Sequence, residues 1–531
     1  MRLSIANTSS SNGSSSASSS SGASSIASSS ASSSKRASIV VASMVLAVFG
    51  SFGCSEESVS SRPSALRPDM PDEGTVFRFA PEDVIERHDE ERVRVHFTRD
   101  GSNAVPAADE DGNGIPDFVE LAGDATETAL DFYAAEGFLA PLGDAALAEN
   151  GGDARFDVYL VDFFGSADGA FVRDRCSSEG GTATCIGHFV MENDFATVGA
   201  LRREQAARIV ATHELFHAVQ VAYDAARDSI LGEGTAVWAT DRLDPSLREV
   251  AAFSGGYLES IERPLDVPRA GVVLDPFAYG SAIFFQFLEE RHDEVLMLEL
   301  WEACAAEPDE GWLALLDRLL AARGSSFAEE MELFAIWNLF TDRRANPEVS
   351  YADGARYQPV SLREETLPLI DERPRHARAA TRGYTFSPGR RTSIDARLGG
   401  TDEDRAGLVL RLARVDDDVV TLAEAGATRF DVAGADEVIV LVVNTARVGE
   451  ARRATVCVGD PSELSACDAP APTEDAGVEL DAGVVADAGV DVDAGTPSEG
   501  GDGGCGCRSG GSSSAGWIGA ALVALLRRRR D

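Results

Sequence analysis

One stretch of the chain predicts a helix that is buried on nearly all sides. Residues 201–223 contain neither glycine nor proline, and apolar side chains recur around the whole helix circumference. Within this stretch, residues 213–217 read His-Glu-Leu-Phe-His and match the pattern H-E-x-x-H. Histidines at this spacing lie one turn apart on one helix face, so both imidazoles can reach a single zinc ion. The intervening glutamate points towards a metal-bound water and does not bind the metal.

A third metal ligand must come from elsewhere in the chain. Residues 218–223 lack the glycine and further histidine that a metzincin would need. Asp224 lies two helical turns beyond His217, about 10 Å along the axis, which is too far for a bond of about 2.1 Å. Asp228 falls where the chain must turn, and its side chain is short. Glu233 follows His217 by 16 residues, and a turn near Asp228 would allow a second helix to cross back to the metal.

The segment after the turn carries a resemblance to a known family. H-E-x-x-H followed by Glu-Gly-x-Ala-x-Trp, beginning at Glu233, resembles the gluzincin metallopeptidases, in particular metalloproteases found in myxobacteria. The resemblance covers roughly residues 93–344. It implies a zincin-like domain in which His213, His217 and Glu233 bind Zn²⁺ and Glu214 is the general base. The alternative is a buried helix with two incidental histidines, in a chain that has 7 histidines in all.

Two further segments acquire roles through this resemblance. Gluzincins often place a tyrosine before a helix behind the site, where its hydroxyl donates to the oxyanion, and Tyr279 is the candidate. Its alternative role is packing beneath the zinc helices. The strand at 188–193 precedes the zinc helix, where gluzincins have a sheet edge along which substrate adds as a strand. Its Met-Glu-Asn also resembles the Gly-x-Met-Glu-Asn segment of aminopeptidases, although Phe189 occupies the glycine position.

An acidic loop at residues 109–120 predicts a calcium site. It satisfies the pattern D-x-D-x-N-G-x₅-E, in which Gly114 permits a sharp turn. A strand at 93–97 precedes it, so the segment is not a whole EF-hand. The alternative is a turn that caps the helix running to about Ala135. The expected Ca²⁺ ligands are Asp109, Asp111, Asn113, Asp117 and Glu120, with the main-chain carbonyl of Ile115.

Cysteine spacing and charge indicate the compartment and exclude some partners. Two locally spaced pairs, Cys176 with Cys185 and Cys457 with Cys467, predict disulfides in an oxidising compartment. Cys304 lies in an apolar helical run and is expected to be a buried thiol. The net charge of −41 argues against nucleic acid or an anionic membrane surface as a partner, and the expected partner is a protein or peptide substrate.

The N-terminal residues predict export. Residues 1–36 form a serine-rich extension that is expected to be disordered, and 37–53 contain the apolar region of a signal peptide. Cys54 follows a small residue and resembles the lipidated cysteine of a lipoprotein, although Ser51 stands where leucine is usual. Ordinary signal-peptidase cleavage is the alternative. Residues 54–75 are expected to be a linker.

The remaining chain divides into four regions by composition. Residues 76–345 are the predicted zinc metalloprotease domain, and short β-type runs separated by turns predict a β-sandwich at 353–460. Residues 468–504 carry Asp-Ala-Gly repeats and are expected to be an acidic linker. Residues 505–531 resemble a myxobacterial C-terminal sorting signal, whose apolar segment is too short to span a bilayer comfortably. Contact with a membrane is thus expected only through the terminal anchor or sorting signal.

The combined prediction is an α+β protein with a zincin-like (gluzincin) catalytic domain followed by an all-β sandwich. Its predicted function is zinc-dependent peptide hydrolysis by an exported protein, held at the outer membrane or cell surface or secreted. An aminopeptidase, in place of an endopeptidase, is one alternative. A displayed binding protein that keeps the zincin fold without turnover is another, and the intact Glu214 argues against it because a purely structural zinc site does not need that carboxylate.

Overall fold

The computed structural model describes residues 67–70, 77–148, 150–178, 181–196, 200–272 and 274–468. Several predicted segments lie outside these residues: the extension 1–36, the signal peptide 37–53, Cys54, most of the linker 54–75, the repeats after 468 and the sorting signal 505–531. The described part combines helices with mixed sheets, so the α+β class is confirmed. None of the described helices has the length and apolar character needed to cross a membrane.

A five-stranded mixed sheet with two long helices forms the N-terminal part. Its strands are β1 (Glu86–Asp89), β2 (Val93–Phe97), β3 (Phe156–Val161), β4 (Gly169–Ser177) and β5 (Thr184–Glu192). The spatial order is β1-β2-β3-β5-β4. Strands β2, β3 and β5 are parallel, whereas β1 and β4 run antiparallel to their neighbours. The helices are α1 (Asp117–Ala135) and α2 (Ala200–Tyr223), which pack on each other and on the sheet.

Side chains of the central strand β3 point alternately to the two faces of the sheet, and both faces are covered. In β3, Val158 and Leu160 join the large apolar cluster that includes α1 and α2. Tyr159 and Val161 point to the opposite face, where Phe79 from the preceding segment covers them. A strand buried on both faces needs apolar residues at nearly every position, which explains the sequence Phe-Asp-Val-Tyr-Leu-Val.

The edge of the sheet differs from the expectation. Strand β5, which precedes α2, lies between β3 and β4, and the edge strand is β4. The predicted Cys176–Cys185 disulfide is confirmed, and it joins residues that face each other across β4 and β5. The difference arises because β5 pairs in parallel with β3 on one side, so its hairpin partner β4 can add only on the other side and becomes the edge strand.

Seven helices follow and extend the apolar cluster. They are α3 (Ser229–Leu243), α4 (Glu249–Leu258), α5 (Pro276–Gly280), α6 (Ala282–Arg291), α7 (Val295–Ala306), α8 (Trp312–Ala322) and α9 (Phe327–Trp337). Cys304 on α7 is a buried free thiol, as predicted, and burial raises its pKa to about 12. Short 3₁₀ turns at Asp342–Arg344 and Gly354–Arg356 lead out of this region.

Two sheets form the C-terminal part. They contain β6 (Arg363–Glu365), β7 (Leu369–Asp371), β8 (Ala380–Phe386), β9 (Ser393–Gly399), β10 (Leu408–Asp416), β11 (Val419–Leu422), β12 (Arg429–Asp431), β13 (Glu437–Asn444) and β14 (Thr455–Gly459), with the short helix α10 (Asp402–Arg405) after β9. One sheet has the order β11-β10-β13-β8-β6 and the other β12-β9-β14-β7. An apolar cluster lies between the two sheets. The predicted Cys457–Cys467 disulfide is confirmed and ties β14 to the turn Ser465–Asp468.

Strand β13 connects the C-terminal sheets to the helices. On one face it contributes to the cluster between the sheets through Val438, Val440 and Val442. On the other face it joins the large cluster of the helical part through Ile439, Leu441 and Val443. The main-chain N–H of Thr381 also donates to the carbonyl of Ile261 at 2.8 Å. The predicted regions 76–345 and 353–460 therefore share one apolar core.

The outer face of the first sheet carries a buried ionic network around Arg67, whose exposure is 1 %. Its guanidinium donates to Asp174 (2.6 Å) and Asp144 (2.7 Å), and also to Asp157. Two histidines form hydrogen bonds with these carboxylates: His96 with Asp157 at 2.7 Å, and His188 with Asp174 at 3.0 Å. Arg67 lies within the expected linker 54–75, so at this residue the linker prediction was wrong, because its charge is held between three aspartates.

Replacing Arg67 by methionine should lower the free energy of unfolding by about 3–5 kcal/mol, because it leaves buried aspartates without their cation. Urea denaturation measures this loss. The control is Arg87→Met, since the Arg87 side chain is 47 % exposed and lies 3.9 Å from its carboxylate partner Asp69. That change should alter the free energy by less than about 0.5 kcal/mol. If both substitutions changed the free energy of unfolding by the same small amount, the buried ion pairs of Arg67 would not be important for stability.

Candidate metal centre

Helix α2 places two histidines and a glutamate in the middle of the protein. His213, Glu214 and His217 are each 0 % exposed. Because the histidines are four residues apart, their rings leave the same helix face, with centroids separated by 4.8 Å. The hydroxyl of Tyr133 on α1 donates to the carbonyl of Thr212 at 2.9 Å and holds this turn against its neighbour.

Helix α3 brings a third residue to the same place. It begins after Asp228, whose carboxylate accepts from two main-chain N–H groups of the first turn at 2.9 and 3.1 Å. Glu233 lies in the second turn and is 3 % exposed. Gly234 allows α3 to approach α6, because a Cβ at this position would lie 2.2 Å from the Oγ of Ser281.

The three side chains converge through specific atoms. The Nε2 atoms of His213 and His217 are 3.1 Å apart. Oε2 of Glu233 lies 3.3 Å from the first nitrogen and 3.4 Å from the second. In the described part of the chain, no other group of three His, Cys, Asp or Glu side chains brings its ligand atoms within 4.8 Å of one another. A tetrahedral zinc ion with bonds of about 2.1 Å separates its ligand atoms by about 3.4 Å, so this triangle has the size of one tetrahedral face.

The protonation of the three groups follows from burial and proximity. Burial lowers the pKa of His213 to about 4, so this imidazole is neutral near pH 7. Burial alone would raise the pKa of Glu233, but the two imidazoles, mainly His217, lower it to about 2. Burial also acts to lower the pKa of His217, and the Glu233 carboxylate outweighs it and raises that pKa. The surroundings therefore favour positive charge between these atoms.

Glu214 lies beside the triangle; among the described residues no side chain forms a hydrogen bond with its carboxyl group, and the main-chain N–H of Phe171 is the donor that acts on it. Burial raises its pKa to about 8; His217 opposes this rise and Glu233 adds to it. A carboxyl group of this pKa can accept and release a proton near neutral pH. The edge strand β4 begins next to it, since a Cβ at Gly169 would lie 3.3 Å from Cγ of Glu214 and 2.4 Å from Val210.

The structure also places Tyr279 at the centre. Its ring stacks on that of His213, with centroids 6.0 Å apart and an interplanar angle of 17°. Phe253 on α4 packs against it at 5.2 Å between centroids. Tyr279 lies on α5, which is capped by Asp275, and Arg263 pairs with this aspartate at 2.8 Å. The packing role is thus observed, while donation to an oxyanion remains a prediction.

The sequence argument missed one polar contact of the centre. The Nδ1 atom of His217 forms a 2.8 Å hydrogen bond with Oε1 of Gln220. Both residues are buried. The spacing of three residues in a helix places the two side chains on neighbouring positions of one face, and this periodicity could have revealed the pair.

In the Met-Glu-Asn segment, the side chains of Glu192 and Asn193 form hydrogen bonds with main-chain groups near the carboxyl ends of β3 and β5. Glu192 accepts from the N–H of Phe163 at 2.8 Å. Burial raises its pKa to about 7. The side-chain amide of Asn193 donates to the carbonyls of Ser102 and Ala104 at 3.2 and 2.8 Å. These contacts position loops, and the aminopeptidase role that the resemblance of this segment implies stays a prediction.

The acidic loop before α1 forms a turn closed by its own side chains. The carboxylate of Asp109 accepts from three main-chain N–H groups of the loop at 2.8–3.1 Å. The amide of Asn113 bridges Asp111 at 3.0 Å and Glu120 at 2.6 Å. Gly114 has a φ of 93°, in agreement with the expected sharp turn. All predicted calcium ligands lie in this loop or in the first turn of α1: Asp109, Asp111, Asn113, Ile115, Asp117 and Glu120.

No protein-family model and no curated protein matches this chain. The arrangement of its own side chains is therefore the basis for a functional assignment. That arrangement brings together the predicted residues His213, Glu214, His217, Glu233 and Tyr279. The loop at 109–120 is a separate segment.

Glu233→Ala should lower zinc affinity by more than about 100-fold, because a ligand has a larger effect than the 10–100-fold typical of an outer-shell partner. Zinc content after dialysis and competition with a chromophoric chelator measure this change. The control is Asp228→Asn, which removes a neighbouring charge but keeps the helix cap. An Asp228→Asn protein without metal, beside a Glu233→Ala protein with stoichiometric zinc, would contradict this ligand set.

Calcium should raise the melting temperature of the wild-type protein, because a ligand that binds only the folded state adds about 2.7 kcal/mol at 100 times its Kd. Asp109→Ala combined with Asp111→Ala should abolish this response. The exposed Asp124 on α1 provides the control, and Asp124→Ala should retain the full calcium response. A wild-type melting temperature that is indifferent to millimolar calcium would refute the calcium site.

Proposed function

We propose that this protein is a zinc-dependent peptidase of the gluzincin type, with its active site at the crossing of α2 and α3. The observation that carries the proposal is the triangle of His213, His217 and Glu233, with ligand atoms 3.1–3.4 Å apart, beside the carboxyl of Glu214, which has no side-chain partner among the described residues. Burying a carboxyl without a side-chain partner is unfavourable. A chemical role for Glu214 explains why it is there, whereas a structural zinc site does not.

The proposal includes a zincin-like fold for the N-terminal part. Three features support it: a five-stranded mixed sheet, one antiparallel edge strand beside the histidine helix, and a following helix that supplies the third ligand. The edge strand begins next to Glu214 through Gly169. In this arrangement the start of the edge strand lies next to the proposed metal ligands.

The residues of the chain then have distinct tasks in peptide hydrolysis. A bound zinc ion would supply Lewis acidity, which lowers the pKa of water and polarises a carbonyl. Glu214 takes a proton from the attacking water as its oxygen bonds to the scissile carbon. When the carbon–nitrogen bond breaks, Glu214 returns that proton to the leaving amine. The hydroxyl of Tyr279 is the proposed donor to the developing oxyanion.

The proposed substrate is an extended peptide segment. Among the described strands β4 is the last of its sheet, and an extended peptide that adds to a sheet edge pairs with such a strand through main-chain hydrogen bonds. Because Gly169 begins this strand next to Glu214, a peptide bound along the edge would reach the carboxyl group. An endopeptidase and an aminopeptidase can both use such an edge.

The proposal extends to calcium and to location. Calcium at residues 109–120 would hold the loop from which α1 begins. The two disulfides fit an oxidising compartment outside the cytoplasm. Export, lipidation at Cys54 and membrane contact through the termini rest on segments outside the described residues.

Digestion of casein by the wild-type protein, with and without a chelator, tests the proposed activity. Glu214→Gln should retain stoichiometric zinc, while hydrolysis falls by about 10²–10⁴-fold through loss of the base. Glu204→Gln on the same helix is the control, since Glu204 has a 64 % exposed side chain paired only with Arg208 among described residues. It should leave hydrolysis unchanged.

Near-full activity of Glu214→Gln would show that Glu214 is not the base. A wild-type protein that binds zinc but cleaves no peptide would favour the displayed binding protein instead. Activity that survives complete removal of zinc would refute the proposed metal dependence.

A further inference from the structure

We propose that Gln220 is a positioning residue that fixes the ring of His217 for metal binding and connects it to the main chain beside Glu233. The inference rests on the proposed metal centre. Gln220 lies on α2, one turn after His217, and is buried together with its polar neighbours.

The orientation of the Gln220 amide follows from its partners. Its Nε2 donates to the carbonyl of Gly232 at 2.8 Å and to Oγ1 of Thr235 at 3.0 Å. The Thr235 hydroxyl donates in turn to the carbonyl of Leu231 at 2.7 Å, so its oxygen accepts from Gln220. A carbonyl and an occupied hydroxyl both require the NH₂ end of the amide. Oε1 of Gln220 must therefore face His217.

This orientation determines the tautomer of His217. The Oε1 atom can only accept a hydrogen bond, so Nδ1 of His217 carries the proton in their 2.8 Å contact. In the neutral ring, Nε2 then bears the free lone pair. This is the nitrogen that lies 3.1 Å from His213 and 3.4 Å from Glu233. Gln220 thus selects the tautomer that can bind a metal ion at the centre.

The same amide also connects the two ligand helices. Gly232 immediately precedes Glu233, and its carbonyl accepts the hydrogen bond from the side-chain amide of Gln220. A displacement of α3 away from α2 would break this bond and move the third ligand. By contrast, Nδ1 of His213 has no hydrogen-bond partner among the described residues. Gln220 therefore acts on His217 and on the approach of Glu233.

Two substitutions of similar size separate the contact to His217 from the contact to α3. Gln220→Glu keeps an acceptor for Nδ1, whereas Gln220→Met removes it; both lose the donor to Gly232. Zinc affinity, measured by chelator competition on the full chain, should fall about 10–100-fold in Gln220→Met. In Gln220→Glu the loss should be smaller, within about 10-fold of wild type: the carboxylate still orients His217, and only the effect of the lost bond to Gly232 remains.

Thr235→Val is the control for a purely structural role. It removes one acceptor of Gln220 but leaves the bonds to His217 and Gly232, so zinc affinity should stay close to that of wild type. Melting temperatures with and without zinc give the second measurement. The increase on adding zinc should shrink in Gln220→Met, since ligand stabilisation decreases with affinity, and persist in Thr235→Val.

Several results would overturn the inference. Wild-type zinc affinity in Gln220→Met, with equal losses of melting temperature in zinc-free and zinc-loaded protein, would leave Gln220 a structural residue only. Equal losses of zinc affinity in Gln220→Met and Gln220→Glu would exclude the Nδ1 acceptor as the cause. If Gln220→Met does not fold, a more than 10-fold loss in a folded Gln220→Glu protein contradicts the inference. A wild-type protein without zinc affinity would instead refute the proposed metal centre itself.

Discussion

The convergence of three buried ligand atoms between α2 and α3 is the constraint on which the rest of the N-terminal part depends. Two imidazole nitrogens and a carboxylate oxygen of buried side chains lie 3.1–3.4 Å apart. Such an arrangement is unfavourable unless positive charge lies between the atoms, and it therefore needs a rigid surround. That surround consists of the capped start of α3, the close approach of α3 to α6 at Gly234 and the hydrogen bonds of Gln220. Each of these features holds a ligand in place through backbone or packing, not through the metal.

The sheet beneath this centre is stabilised differently on its two faces. The face towards α1 and α2 is apolar and belongs to the large cluster. The opposite face contains the ionic network of Arg67 together with a small apolar cluster around Tyr159. A buried ion network adds little net stability over apolar packing, but removing one of its charges is strongly destabilising. The network therefore makes the position of the segment at Arg67 specific, and it orients the sheet whose edge lies beside Glu214.

The C-terminal sheets are part of the same hydrophobic unit as the helices. Strand β13 has apolar residues on both faces, one set in the cluster between the sheets and the other in the helical core. Removing this strand would expose the apolar surface of the helices that it covers. The C-terminal part thus supports α9 and the loop at Ile261, which follows α4, the helix whose Phe253 packs on Tyr279. A structural contribution to the proposed active site follows from this contact pattern.

Local sequence patterns were sufficient for helix α2 and several strands of the C-terminal sheets, which were predicted from periodicity, and for the histidine pair and the two disulfides, which were predicted from residue spacing. These features depend on residues close together in the chain, where a repeat of 3.6 or 2 residues directly reflects one buried face. The sequence predicted that Glu233 lies near the histidines, both from a second helix after the turn at Asp228 and from a family resemblance. Its distance to the histidines came only from the structure. The position of β4 outside β5, the partners of Arg67 and the orientation of Gln220 were decided by tertiary structure alone. Arg67 and Asp174 are separated by 107 residues, and Gln220 meets Gly232 only after the chain has turned. Polar side chains have many possible partners in a sequence, and only the packing of distant elements selects one of them.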